Sequence, residues 1–371
     1  MTPIEFGGDL ARMDAALGAL PNRPAVFALW PGEGDPYLSK TALLRRRLLR
    51  LLGEREKPSR LLNLRHAVRR IEYRLTGSVF ESGVLLYELT RRHFPQSYLK
   101  RLNLRMPSYV NIALTSQFPR SRITTHLTRA PGLFFGPFRS RASAERFEGQ
   151  FLDLFQMRRC QEDLHPSPEH PGCIYGEMGM CVRPCQLVVG PAEYRHEVAR
   201  AVDFLRTGGR SLLEAIAHSR DRLSEEMMFE EAARQHKRLE KVQETLKLRD
   251  DLACDVERLN GVAVTQSVAA NAVELWFVRD GAWVGSRPLD FEVQEGKPVS
   301  LDQKLRETFA AVEPRALTAG ERREYLALLA RWYYSTWRDG EWLAFENYQE
   351  IPYRKLVNAV SRVAHRATSL E

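Results

Sequence analysis

Apolar residues in the first hundred positions change period twice, and each change predicts an element. "RPAVFALW" (Arg23 to Trp30) is a short apolar run closed by Pro31, "GEGDP" is a turn, and "YLSK" resumes an extended segment, so a hairpin is predicted. The period then becomes helical. Leu43, Leu44, Leu48, Leu51 and Leu52 fall on one helix face and leave arginines on the rest of the circumference. "RRIEYRLTG" reads as a third strand and "FESGVLLYELTRRHF" as a second helix. Farther on, Phe229, Ala232, Ala233, Leu239, Val242 and Leu246 recur at the spacing of a seam between two antiparallel helices. Beyond Cys254, "GVAVTQSVAANAVELWFVRDGAWVGSRPLDF" alternates and turns at "RDGA" and "VGSRP", which predicts a small antiparallel sheet. The last stretch reads as helical, and its stripe of Trp332, Tyr333, Trp337 and Trp342 reads as helix-packing core. The pattern predicts an α+β multidomain chain. Its parts are a small α/β unit over 20–100, linking strands and a cysteine-rich region over 101–200, a helical region over 201–252, a small β region over 253–318 and a helical segment over 319–371.

At 371 residues the chain is long enough for two or three cores. No apolar stretch approaches the roughly 20 residues that span a bilayer, and the start, "MTPIEFGGDLARMDAALGAL", carries acids where a signal peptide carries bases. A cytoplasmic protein with no membrane partner is expected. The 55 Lys and Arg exceed the 47 Asp and Glu by eight, and the excess is concentrated. Between Lys40 and Arg74 lie Arg45, Arg46, Arg47, Arg50, Arg60, Arg65, Arg69 and Arg70 against very few acids. Arginine's planar fork suits phosphate, so DNA contact is expected from Arg45, Arg46, Arg50, Arg65 and Arg69; the alternative is an ordinary solvated helix face.

Four of the five cysteines are bunched as C-x12-C-x7-C-x3-C: Cys160, Cys173, Cys181 and Cys185. Bunching argues against a disulfide framework and for a metal or cluster site. Four thiolates suit a tetrahedral zinc or an iron-sulfur cluster. Zinc sites usually come as two close pairs, whereas this irregular spacing fits a loop wrapped around a larger object. Cys254 reads as a small apolar residue.

The order hairpin, basic helix, strand, helix resembles the GIY-YIG nuclease module, specifically that in the N-terminal half of the UvrC family, the nuclease component of the excinuclease ABC system of bacterial nucleotide excision repair. "RIEYRLTGSVFESGVLLYELTRRHFP" lies without a gap on that family's pattern around its catalytic glutamate. "GLFFGPF" (Gly132 to Phe138) is similar to the aromatic segment that follows the module, and the cysteine order, with Pro184 before the last, is similar too. "SEEMMFEEAARQHKRLEKV" resembles the UVR motif, the helical hairpin through which UvrC pairs with UvrB. The resemblance covers about residues 20 to 250.

It implies a metal-assisted phosphodiester hydrolase site at defined positions. The GIY triplet falls on Ala25-Val26-Phe27 and the YIG triplet on Tyr37-Leu38-Ser39; Lys40 and Arg47 stand at the family's lysine and arginine. Tyr37, Arg47 and Lys40 are therefore the implied catalytic residues. The first tyrosine has become Phe27, the metal-anchoring glutamate falls on Leu86, and the closing asparagine falls on Tyr98. A leucine methyl cannot replace a hard oxygen ligand, so an inactive site that still binds DNA is expected, with magnesium present only if a carboxylate comes from elsewhere. The resemblance also implies a 4Fe-4S cluster on the four cysteines, with zinc as the alternative, and a UvrB-like partner on Phe229, Ala232, Ala233 and Leu239. His236 and Lys237 depart from the motif's usual Arg and Asp. The RNase H-like domain and helix-hairpin-helix tail of UvrC are expected to be missing. Two alternatives stand beside this reading: an active endonuclease making a single incision near a lesion, and an iron-sulfur redox or regulatory DNA-binding protein.

Overall fold

The structure is a computed structural model that describes residues 1–54, 62–128, 130–291 and 300–368. It is an α+β chain built on three four-stranded sheets. The first carries β1 (Thr2–Glu5), β2 (Ala25–Pro31), β3 (Tyr37–Thr41) and β4 (Val68–Leu75) in the order β1-β4-β2-β3, all antiparallel. Helices α1 (Leu10–Ala19) and α2 (Leu44–Leu52) share a core with Phe27, Leu29 and Ile71; α3 (Val79–His93) packs on β2 and β3 and is followed by α4 (Tyr98–Leu102). The predicted hairpin, basic helix, strand and second helix are all present. The start of this unit differs from expectation, because residues before 20 add an edge strand and a helix. Asp9 caps α1 by accepting from the amides of Ala11 (3.0 Å) and Arg12 (3.1 Å), and Met13 and Leu17 are fully buried.

The second sheet, order β6-β5-β7-β8, joins β5 (Ser108–Ala113), β6 (Ser121–Thr124), β7 (Gly132–Phe138) and the two-residue β8 (Cys254–Asp255). It packs through stacked phenylalanines against α5 (Arg141–Leu152): Phe135 lies 5.2 Å from Phe147, which lies 6.2 Å from Phe151. Gly136 is required where β7 passes Tyr109, since a Cβ there would meet the ring at 2.6 Å. A stretch poor in regular structure follows, with only α6 (Ile174–Glu177) and a 3-10 turn at Pro184–Gln186, before α7 (Pro191–Arg206) returns to the same core. Helices α8 (Arg210–Glu225) and α9 (Phe229–Lys247) then form the predicted antiparallel pair, with Val242 fully buried and Met227 in the left-handed region at the turn.

The third sheet contains β9 (Asn260–Gln266), β10 (Ala272–Arg279) and β11 (Ala282–Asp290), followed by α10 (Leu301–Ala310), α11 (Ala319–Tyr333), β12 (Gly340–Phe345) and α12 (Tyr353–Thr368). Its order, β11-β10-β9-β12, corrects the expectation of a wholly helical C-terminal segment. Trp342 lies on β12 opposite Ala263, not on a helix. The segment "GEWLAF" is short enough that its alternation is hidden between two long helical patterns, and pairing with β9 decides its state. Trp332 meets the packing expectation at 1% exposed, whereas Trp337 is 45% exposed.

Candidate functional site

Alternation along edge strand β3 sends Tyr37 and Lys40 to opposite faces of the first sheet, and the site residues named by the sequence separate accordingly. On the α2 side, Phe27 is fully buried 6.3 Å from the Tyr37 ring, and Arg47 reaches the Tyr37 hydroxyl at 3.5 Å. On the α3 side, Lys40 and Leu86 line one cavity, with the Lys40 ammonium 4.0 Å from where a Cβ of Gly83 would stand. The structure thus brings together two pairs, Tyr37 with Arg47 and Lys40 with Leu86.

The basic residues divide as well. Arg45, Arg46 and Arg50 lie exposed on α2, opposite the buried Leu44, Leu48, Leu51 and Leu52, and Arg69 lies exposed on β4 with its guanidinium on the carbonyls of His66 and Val68. Arg65 is a correction to the DNA-contact set. It is 7% exposed, donates to both oxygens of Asp14 at 2.6 Å and to the Leu52 carbonyl at 2.9 Å, and so ties α1 to the end of α2. A cation with very little neighbouring acid in sequence found its partner 51 residues away. Arg60 lies outside the described residues.

Helix α11 covers the α3 face. Glu324, 4% exposed, accepts from the hydroxyls of Tyr87 (2.6 Å) and Tyr98 (2.9 Å), Glu321 pairs with Arg91 at 2.9 Å, and the Tyr325 hydroxyl donates to Glu88 at 3.2 Å. Burial, then the Glu324 carboxylate, push the Tyr87 phenol up. Amide and hydroxyl donation from Thr318 and the Arg91 guanidinium hold Glu321 down to about 2. Neither spare carboxylate of α3 faces the Leu86 position: Glu88 is held by Tyr325, and Glu81 accepts from the Gly77 amide at 2.7 Å, its pKa raised by burial. The closing asparagine position, Tyr98, is part of the α11 contact. Sequence reading missed Glu324 and Arg331, which lie far along the chain and carry no local motif, and it took Trp337 for packing core where the structure sets it, exposed, at the cavity of Lys40 and Leu86.

Cys160, Cys173, Cys181 and Cys185 are free thiols gathered by the loops between α5 and α7. Cys173 opens α6, and its carbonyl accepts from Gly176 (2.9 Å); the Cys185 carbonyl accepts from Ser167 (2.9 Å). Arg183 and Leu187 hold the 3-10 turn in the left-handed region on either side of Cys185. Burial pushes the Cys181 thiol up to about 11 against donation from the Arg183 amide, with the other three thiols adding to the rise; burial, then Cys173, raise Cys185. Among the described residues no three His, Cys, Asp or Glu side chains converge on a point fit for a single ion. The Cys181 and Cys185 sulfurs each accept from a neighbouring backbone amide, that of Arg183 and that of Gln186.

The sequence comparisons bear on this region. Residues 109–204 match the family described as UvrC/Cho excinuclease, middle domain, and that span holds all four bunched cysteines. The chain is 25% identical to UvrABC system protein C of Lachnospira eligens over 76% of its own length and 47% of that protein's. For the same protein of Moorella thermoacetica the values are 27%, 74% and 44%, and for that of Dehalococcoides mccartyi 24%, 79% and 49%. The chain is similar to the UvrC proteins. It spans about half the length of the UvrC proteins it matches. No solved structure matches it significantly.

The segment that resembles the UVR motif of UvrC presents its residues in two directions. Phe229 is 65% exposed beside Met227 and Met228, and Ala233 is exposed, so an apolar tip faces outward at the α8–α9 turn. Ala232 and Leu239 are half-buried, and Leu239 packs on the middle core. No helix among the described residues is long and apolar enough to cross a membrane.

Proposed function

We propose that this chain is a nucleotide excision repair protein of the UvrC type that binds DNA through the exposed arginines of α2 and does not cut it through the GIY-YIG-like unit. The observation that carries the reading is Leu86. At the place of the family's metal carboxylate, α3 presents an apolar wall, closed over by α11, and its two spare carboxylates are already held by Tyr325 and Gly77. Without a hard oxygen ligand there is no anchor for a divalent ion to offset charge developing on phosphate. Tyr37 and Arg47 remain as a hydroxyl and a guanidinium suited to holding a phosphate.

Cys160, Cys173, Cys181 and Cys185 would hold a four-iron, four-sulfur cluster, which supplies four iron-thiolate bonds to a stretch that has little regular structure of its own. The apolar tip formed by Met227, Met228 and Phe229 would seat a UvrB-like partner. The deciding experiment incubates the unmodified chain with damaged duplex and magnesium, with and without UvrA and UvrB. Retention of duplex without nicking is the expected result. Robust nicking, abolished by chelator and by Arg47→Ala, would overturn it in favour of the active endonuclease.

A further inference from the structure

The cavity between α3 and α11 has a volume of about 160 Å³ and two chemically distinct halves. Its wall is apolar, formed by Phe80, Val84, Leu86, Leu328 and Trp332. Its mouth is cationic: Lys40, Arg101 and Arg331 border it, and the exposed Trp337 ring lies 5.9 Å from the Lys40 ammonium. One carboxylate, Asp339, stands close to Lys40, but its oxygens already accept from the Val79 amide and the Trp332 indole (2.9 Å). Asp35 lies 4.0 Å from Arg101. Arg331 makes no ion pair or hydrogen bond among the described residues; burial, then the nearby Arg331 charge, push the Lys40 ammonium down. Two to three cations facing a gap with little free acid are arranged for an anion. An apolar cavity of roughly 150 Å³ takes a single six-membered ring.

We propose that this cavity binds one pyrimidine nucleotide, with its base between Leu86 and Trp332 and its phosphate on Lys40 and Arg331. The glutamate of the nuclease pattern would place a charge in the wall that the base must touch; leucine makes that wall fit for it. The proposal rests on the reading of Leu86 as the site of a lost metal anchor, yet the binding requires no metal. The nucleotide is either the phosphorylated end of a DNA strand or a free mononucleotide, since the two present the same chemistry.

The test titrates the full chain in EDTA with dTMP, thymidine and inorganic phosphate by calorimetry. We expect saturable dTMP binding about tenfold tighter than either fragment, as one good charge-assisted contact supplies. Arg331→Ala, at an exposed position, should weaken dTMP about tenfold and leave thymidine unchanged. Leu86→Trp should fill the cavity and abolish both. If a 5′-phosphorylated oligothymidylate displaces dTMP, the natural occupant is a strand end; if dTMP binds and the oligonucleotide does not displace it, the occupant is a free nucleotide. No saturable binding of dTMP to the unmodified chain, or binding that Arg331→Ala leaves unchanged, overturns the proposal. Either result is separable from the function reading, which is decided by magnesium-dependent nicking and not by nucleotide affinity.

Discussion

The first hundred residues and the stretch from 153 to 190 differ in what each retains of the UvrC pattern. The N-terminal unit has a complete sheet, three long helices and a closed core, but apolar side chains occupy two positions where the pattern has chemistry, Phe27 and Leu86. The cysteine stretch has all four sulfurs and almost no regular structure. A core is specified by apolar periodicity, which accepts leucine for glutamate on a helix as readily as it accepts any other apolar residue. The cysteine stretch leans on the middle core through Phe155, Met157 and Val182 but has few regular elements, so bonds from a bound group to its side chains would add most to its order. Fold and site are therefore separable in this chain.

The largest effect is expected on the cysteine side. Protein purified without oxygen should be brown with near-stoichiometric iron and sulfide, and Cys181→Ser should bleach it and open residues 153–190 to protease while the N-terminal unit melts as before. Colourless protein holding one tight zinc would reverse this and make the two regions alike in losing their family chemistry.

Next comes the basic face. If Arg45, Arg46 and Arg50 contact phosphate, each change to Ala should flatten the dependence of duplex affinity on salt by about one unit of log-log slope. Equal slopes in the triple variant would reduce α2 to a solvated face. Arg65→Ala should behave differently and lower the melting temperature, because it removes the tie between α1 and α2 and leaves the Leu52 carbonyl without its guanidinium donor.

Restoring the lost chemistry tests the separation directly. Phe27→Tyr puts a hydroxyl at a fully buried position and should cost about 1–3 kcal/mol in denaturant unfolding. With Leu86→Glu added, magnesium-dependent nicking should appear. A Phe27→Tyr variant as stable as the parent would mean that the site has kept a polar partner for the hydroxyl.

The smallest effect concerns the cover on α3. Glu321 is held down to about 2 by the Thr318 amide and hydroxyl and by Arg91, below the unfolded value of about 4.3. Its contribution is fully present above pH 4.3 and is lost as pH falls from there towards 2. Glu321→Gln should remove on the order of 1 kcal/mol at neutral pH and flatten the acid limb of the stability curve. An unchanged acid limb would show that the α3–α11 contact does not rest on this capping box.

The sequence by itself determined whatever depends on near neighbours. The hairpin at Ala25–Thr41, the arginine-faced helix at Leu44–Leu52, the helix at Val79–His93, the α8–α9 pair and the grouping of four cysteines all follow from spacings of a few residues, which fix a face or a turn before any long-range contact forms. Tertiary structure decided what depends on distant partners. β1 exists by pairing with β4 and β12 by pairing with β9, while Arg65 turned inward because Asp14 was waiting for it. Leu86 became the wall of a cavity because α11, more than two hundred residues away, packs over it. No local period encodes such pairings. They are settled by which surfaces remain to be buried once the local elements have formed, and by where a charge can find its counter-ion.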